Sequence, residues 1–297
     1  MKNIGGQAVI EGVMMKSPNG WAVAVRSPKG DITIKSIKTK KPMAIVRLPI
    51  IRGIFGLAHA LTIGIKAIEF SGNIALQEKE EDKQMSKLSI GISIITAFII
   101  AIGLFKFMPL FLTSLLSSQT NIISESPLFF NLIDGLFRVG IFFLYLISIG
   151  LWKEMKRIYE YHGAEHKVIH AYEAGEKLTL ENIKKYKPYH PRCGTSFLLI
   201  VMVISILTFM FIPQSWSFIE KLLSRLLLIP LIAGISYEAL RFSARMKNNS
   251  IIGLLVLPGL LLQRITVREP NENQIEVAIR ALEEVLKLGD KGVCKEC

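Results

Sequence analysis

LSIGISIITAFIIAIGLFKFMPLFLTSLL, residues 88–116, reads as a helix long and apolar enough to cross a bilayer. Lys106 alone interrupts it, and a lysine stem can lie along apolar surface while its ammonium reaches the interface. The whole chain of 297 residues is 51% hydrophobic, with a mean hydropathy of +0.41, too apolar for an ordinary soluble protein. A lipid bilayer is therefore its first expected partner.

Three further segments extend the pattern: Leu128–Trp152, Ser196–Ile212 and Phe218–Leu240. The fold class expected is mainly α, a polytopic membrane protein with about four transmembrane helices. The loops 117–127 and 213–217 contain no Lys or Arg, whereas 153–195 contains nine, and Arg241, Arg245 and Lys247 flank the fourth span. Basic flanks stay inside. The reading is a multi-pass protein of the cell membrane with both termini and the 153–195 region in the cytoplasm. The formal charge of +12 then belongs to cytoplasmic flanks, and no Arg-rich or aromatic-interleaved surface points to nucleic acid.

Other stretches are not spans. Residues 1–41 read as a small β unit, with WAVAVR and DITIKSI forming a hairpin across SPKG, and Gly5-Gly6 as a tight turn. MKNIGGQAVIEG lacks the continuous apolar region of a cleaved signal, so insertion relies on internal segments. Residues 43–70 carry Arg52, His59 and Lys66 at seven-residue intervals, a basic stripe that fits an interfacial or re-entrant helix. Residues 78–87 are a charged linker. The apolar stretch 251–262, with Pro258-Gly259, is too short to span and should lie in or dip into the interface. Asn271–Leu288 has the period of a soluble amphipathic helix. Within the second span, Asp134 and Arg138 stand one turn apart and can pair; such an intramembrane pair is either functional or a packing device.

The chemistry concentrates in YHGAEHKVIHAYE, residues 161–173, and HPRCGTS, residues 190–196. On a helix, His162, His166, His170 and Glu173 share one face, and Glu165 stands beside them. His162 and His166, about 6 Å apart along the axis, can reach one divalent ion, zinc first, with manganese or iron as alternatives. Glu165 is placed to act as general base. Glu173 lies about 10 Å beyond His166, so it belongs with His170 to a second ion or an outer shell. His190 or Cys193, returned by the loop, is the expected third ligand. Arg192 can hold a phosphate or carboxylate. Cys193 can instead be a nucleophile, or simply a buried thiol at a helix start. Three cysteines make no disulfide framework, and Cys294 and Cys297 read as a tail feature without a role in the chemistry.

GGQAVIEGVMM, Arg52-Gly53, YHGAEHKVIHAYE, HPRCGTSF and Pro258-Gly259 together resemble the YqhQ-like family of bacterial membrane proteins. The resemblance covers essentially the whole chain. It implies a family of unknown function, predicted to be metal-dependent enzymes, and it carries over to His162, Glu165, His166, Glu173, His190, Arg192 and Cys193. The expected function is a membrane-bound metal-dependent hydrolase at the cytoplasmic membrane face, acting on a small molecule, lipid or peptide. The competing expectation is a non-enzymatic membrane factor, for protein insertion or assembly or for solute movement, with a structural metal or none.

Overall fold

The computed structural model describes residues 4–39, 48–76, 87–119, 126–191, 193–213, 215–245 and 250–290. It begins with a four-stranded antiparallel meander: β1 (Gly5–Val9), β2 (Gly12–Ser17), β3 (Gly20–Arg26) and β4 (Ile32–Lys38). The expected hairpin is the β3–β4 half, with Arg26 opposite Ile32. Gly5-Gly6 does not form the tight turn expected of it; both glycines are extended in β1. The chain reverses instead at Ile10-Glu11, where Glu11 takes a φ of 52°. The Glu11 carboxylate pairs with Arg157 and accepts a hydrogen bond from the Tyr161 hydroxyl, contacts that hold a non-glycine residue in the left-handed region.

The two central strands are apolar at nearly every position because both faces of the sheet are covered. Val13, Met15, Ala22 and Ala24 face helices α5 (Lys153–Ala174) and α11 (Glu272–Asp290). Met14, Trp21, Val23 and Val25 face Ile63 and Ala67 of α1 (Ile51–Leu76). Of the segment read as interfacial or re-entrant, residues 43–47 lie outside the described residues; from Ile51 onward it is one unbroken helix. Its first half crosses α9 (Ile229–Arg245) closely: a Cβ on Gly53 would lie 3.0 Å from the Gly234 Cα. Arg52 leaves the expected basic stripe to pair with Glu238, while His59 and Lys66 are exposed.

The apolar elements follow as α2 (Lys87–Ile102), a π-helical turn (Gly103–Phe107), α3 (Met108–Ser117) and α4 (Pro127–Ile149). The wider turn lies just before Pro109, which has no N–H to give to the carbonyl four residues back. Beyond α5 come α6 (Leu180–Lys184), α7 (Gly194–Phe209), α8 (Phe218–Leu227) and α10 (Ser250–Thr266). Among the described residues, three helices are long and apolar enough to cross a membrane: Ile51–Ala75, Gly91–Ser117 and Pro127–Ile149. Two of these coincide with the first two expected spans. The third expected span is the shorter α7, and the fourth is divided at Leu228 into α8 and α9. The stretch 251–262 lies within α10, which continues through Pro258.

Asp134 and Arg138 do pair, at 2.6 Å, but not alone. Arg225 of α8 donates to Asp134 at 2.7 Å and to Asn131 at 3.1 Å, and Arg138 also donates to Ser205 of α7 at 3.0 Å. Both guanidinium groups lie over the Phe209 ring. All three charged side chains are buried, so one carboxylate ties α4, α7 and α8 together against two cations. Asp134→Asn should therefore cost about 3–5 kcal/mol of stability, because it leaves two buried arginines without a counter-charge; chemical denaturation in detergent measures it. Gly163 of α5 allows an equally close contact, since a Cβ there would lie 2.0 Å from the Arg268 carbonyl oxygen. Gly163→Ala should lower stability by about 1–3 kcal/mol in the same assay.

Candidate functional site

Helix α5 supplies most of the site. From Tyr161 to Ile169 it is buried at every position except His162, which is half-covered. It ends at Gly175, whose φ of 77° provides the left-handed cap that turns the chain toward α6. The chain then returns to α5 at His190–Cys193. Gln263 of α10, fully buried, fixes this return: its carbonyl accepts from the His190 amide and its side-chain N–H donates to the His190 carbonyl, both at 2.8 Å. Gly259 brings α10 close enough, since a Cβ there would fall 2.4 Å from the Ser196 Oγ. Cys193 is then the N-cap of α7, its Sγ accepting from the Thr195 amide at 3.4 Å.

His162, His166 and Cys193 converge, each with one ligand-type atom within 4.8 Å of the others. The tautomers follow from the neighbours. His162 Nδ1 lies 3.0 Å from the Thr266 carbonyl and His166 Nδ1 lies 2.7 Å from the Pro188 carbonyl. A carbonyl only accepts, so each Nδ1 carries a proton and each Nε2 is the nitrogen left to face the cluster. His162 Nε2 is 3.2 Å from Cys193 Sγ. Glu165 Oε2 stands 3.9 Å from His162 Nε2 and 3.8 Å from His166 Nε2. A Gly6 backbone hydrogen bond also reaches this carboxylate, and a Cβ on Gly6 would lie 2.7 Å from Glu165 Cγ. That contact accounts for a glycine at this position of β1.

Burial dominates the electrostatics. It pushes the Glu165 carboxyl up to about 7, opposed by the nearby His162. It holds His166 well below the ordinary histidine range, hence neutral, and it raises the Cys193 thiol. Two imidazoles with fixed Nδ1–H groups and a thiol form a donor set suited to a soft divalent cation, and such a cation would draw the thiol and the carboxyl back toward their charged forms. The arrangement fits a metal.

His190 does not join this trio. Its Nε2 faces Glu173 at 3.6 Å, its ring packs on that of His170 at 4.5 Å, and it is 5.7 Å from the His166 ring. His170 Nε2 bonds the Tyr189 carbonyl. Of the two candidates for third ligand, Cys193 is the one brought to His162 and His166, while His170, Glu173 and His190 gather on the far side of His166. Arg192, Cys294 and Cys297 lie outside the described residues. Gln263, Gly6 and the carbonyls of Pro188 and Thr266 were not found by sequence reasoning. The one signal available was Gln263 itself, an amide directly after the apolar stretch 251–262.

Comparison with known proteins agrees with the resemblance drawn from the motifs. A family described as "Protein of unknown function (DUF1385)" matches residues 48–288, from α1 into α11. The Bacillus subtilis (strain 168) "Uncharacterized protein YqhQ" is 32% identical over 298 residues, covering 96% of this chain and 92% of the relative. No solved structure matches. By the reach of the family match and the extent of the identity, the chain belongs to the DUF1385 family.

Proposed function

We propose that this protein is a membrane-bound, metal-dependent hydrolase working at the cytoplasmic membrane face. The observation that carries the reading is the pair of Nδ1–H···O=C bonds at His162 and His166, which leave both Nε2 atoms facing the space beside Cys193. His162, His166 and Cys193 would hold the ion, zinc being the best match to two nitrogens and a sulfur. When bound, the ion supplies Lewis acidity to the scissile group. Glu165 accepts the proton of the attacking water at its carboxylate and returns it to the leaving group, while the Gly6 amide keeps that carboxylate oriented. His190, His170 and Glu173 brace the return segment. The basic 153–195 segment and the Lys/Arg-free loops support a multi-pass topology with both termini in the cytoplasm.

Two other readings have an observation behind them. The 3.2 Å contact of His162 with Cys193 also suits a thiol nucleophile and its base. The buried Asp134–Arg138–Arg225 group suits a non-enzymatic membrane factor, with any metal purely structural. Elemental analysis of detergent-purified protein separates them. The expected result is one transition metal per chain, lost in His162→Ala and His166→Ala. Glu165→Gln should retain the metal and lower hydrolysis of a panel of esters and phosphoesters by about 10²–10⁴-fold. Metal-free protein with a rapidly alkylated Cys193 would favour the thiol reading. Intact cellular function in Glu165→Gln and His166→Ala, with loss in Arg138→Gln, would favour the membrane factor.

A further inference from the structure

The His162–Glu165–Cys193 group stands at one end of a cavity of about 630 Å³, within the usual range of small-ligand pockets, about 300–1,000 Å³. Most of the remaining lining is apolar. Leu57 and Ala60 of α1, Leu146 of α4, Phe197 and Leu198 of α7 and Leu240 of α9 form its walls. The described lining includes no Lys, Arg or Asp. Leu57 is 40% exposed and Leu198 44%, so these walls run out onto the surface that also bears the exposed Phe55, Leu144, Ile147 and Val203. That surface belongs to α1, α4 and α7, the apolar helices that a bilayer would cover. The polar end is equally defined. It holds Gln7, Thr195 and the outer edge of β1, where the Gly6 amide already points outward; antiparallel alternation sends the Ala8 amide and carbonyl the same way.

We propose that the cavity admits a bilayer lipid, with its head group at His162, Glu165 and Cys193 and its acyl chain lying between α1, α4 and α7. The assignment of the head-group end rests on the hydrolase reading above. Gln7, Thr195 and the outward edge of β1 give this end donors and acceptors without charge, the chemistry that holds an uncharged, glyceride-type head. An extended peptide would find backbone partners only along β1, with apolar side chains on every other wall.

The test uses full-length protein reconstituted in phosphatidylcholine vesicles containing a diacylglycerol with a diazirine at the end of its acyl chain. After photolysis, adducts are mapped by mass spectrometry. An adduct is expected on Leu146, which lines the cavity and is 8% exposed, in addition to ordinary surface labelling of Leu144. Ala60→Trp, and independently Leu198→Trp, should reduce the interior adducts about tenfold by filling the chain site, with metal content and Leu144 labelling unchanged. Labelling confined to Leu144 and Ile147, or interior labelling indifferent to both tryptophans, overturns the proposal. So does interior labelling displaced by a hydrophobic peptide but not by unlabelled diacylglycerol. Interior adducts on a protein that contains no metal would uphold the lipid site and overturn the hydrolase reading alone.

Discussion

A polar helix buried on nearly all sides is the constraint from which the rest follows. Each polar group of α5 that loses water must find a partner, at a cost of a few kcal/mol where it does not. The partners come from every direction. Lys167 meets Glu269, His166 meets the Pro188 carbonyl, His162 meets the Thr266 carbonyl and Glu165 meets the Gly6 amide. Those four contacts draw the sheet, the 185–193 return, the end of α10 and the approach to α11 onto one helix. The geometry that satisfies the helix is the same geometry that leaves two imidazole nitrogens and a thiol facing one another.

The sheet links this helix to the apolar helices of the chain. One face carries α5 and α11 and the other carries the second half of α1, so a single layer of strands joins the site to a helix whose first half crosses α9. A strand buried on both faces has no solvent side to absorb a slip in register, since a one-residue shift would exchange the two cores. The position of Gly6 beside Glu165 is therefore set by the packing of Met14 and Trp21 against α1 as much as by β1 itself.

The same physics appears a second time at Asp134. There, too, buried polar groups answer one another across three helices, but with full charges and two guanidinium groups stacked on one aromatic ring. The two centres differ in consequence. Around Asp134 one carboxylate holds two guanidinium groups and pins the helices. Around His162 the imidazole nitrogens and the Cys193 thiol face one another at the cavity.

The apolar runs, the Lys/Arg asymmetry between loops, the period of α11 and the one-turn spacing of His162 and His166 are local properties, visible in residues close together in the chain. They were enough for the helical class, for helices long and apolar enough to cross a membrane and for the pairing of His162 with His166 on α5. Which residue closes that centre was not local. Cys193 rather than His190 reaches the trio because Gln263, some seventy residues further on, clamps the return at His190, and because Gly259 lets α10 come within contact of Ser196. Gly5-Gly6 read as a turn because glycine favours turns; only the nearness of the Glu165 side chain, brought by packing, explains its place in a strand. Arg225 as a second partner of Asp134 was likewise hidden, since sequence spacing reports neighbours on one helix and is silent about side chains that meet across three.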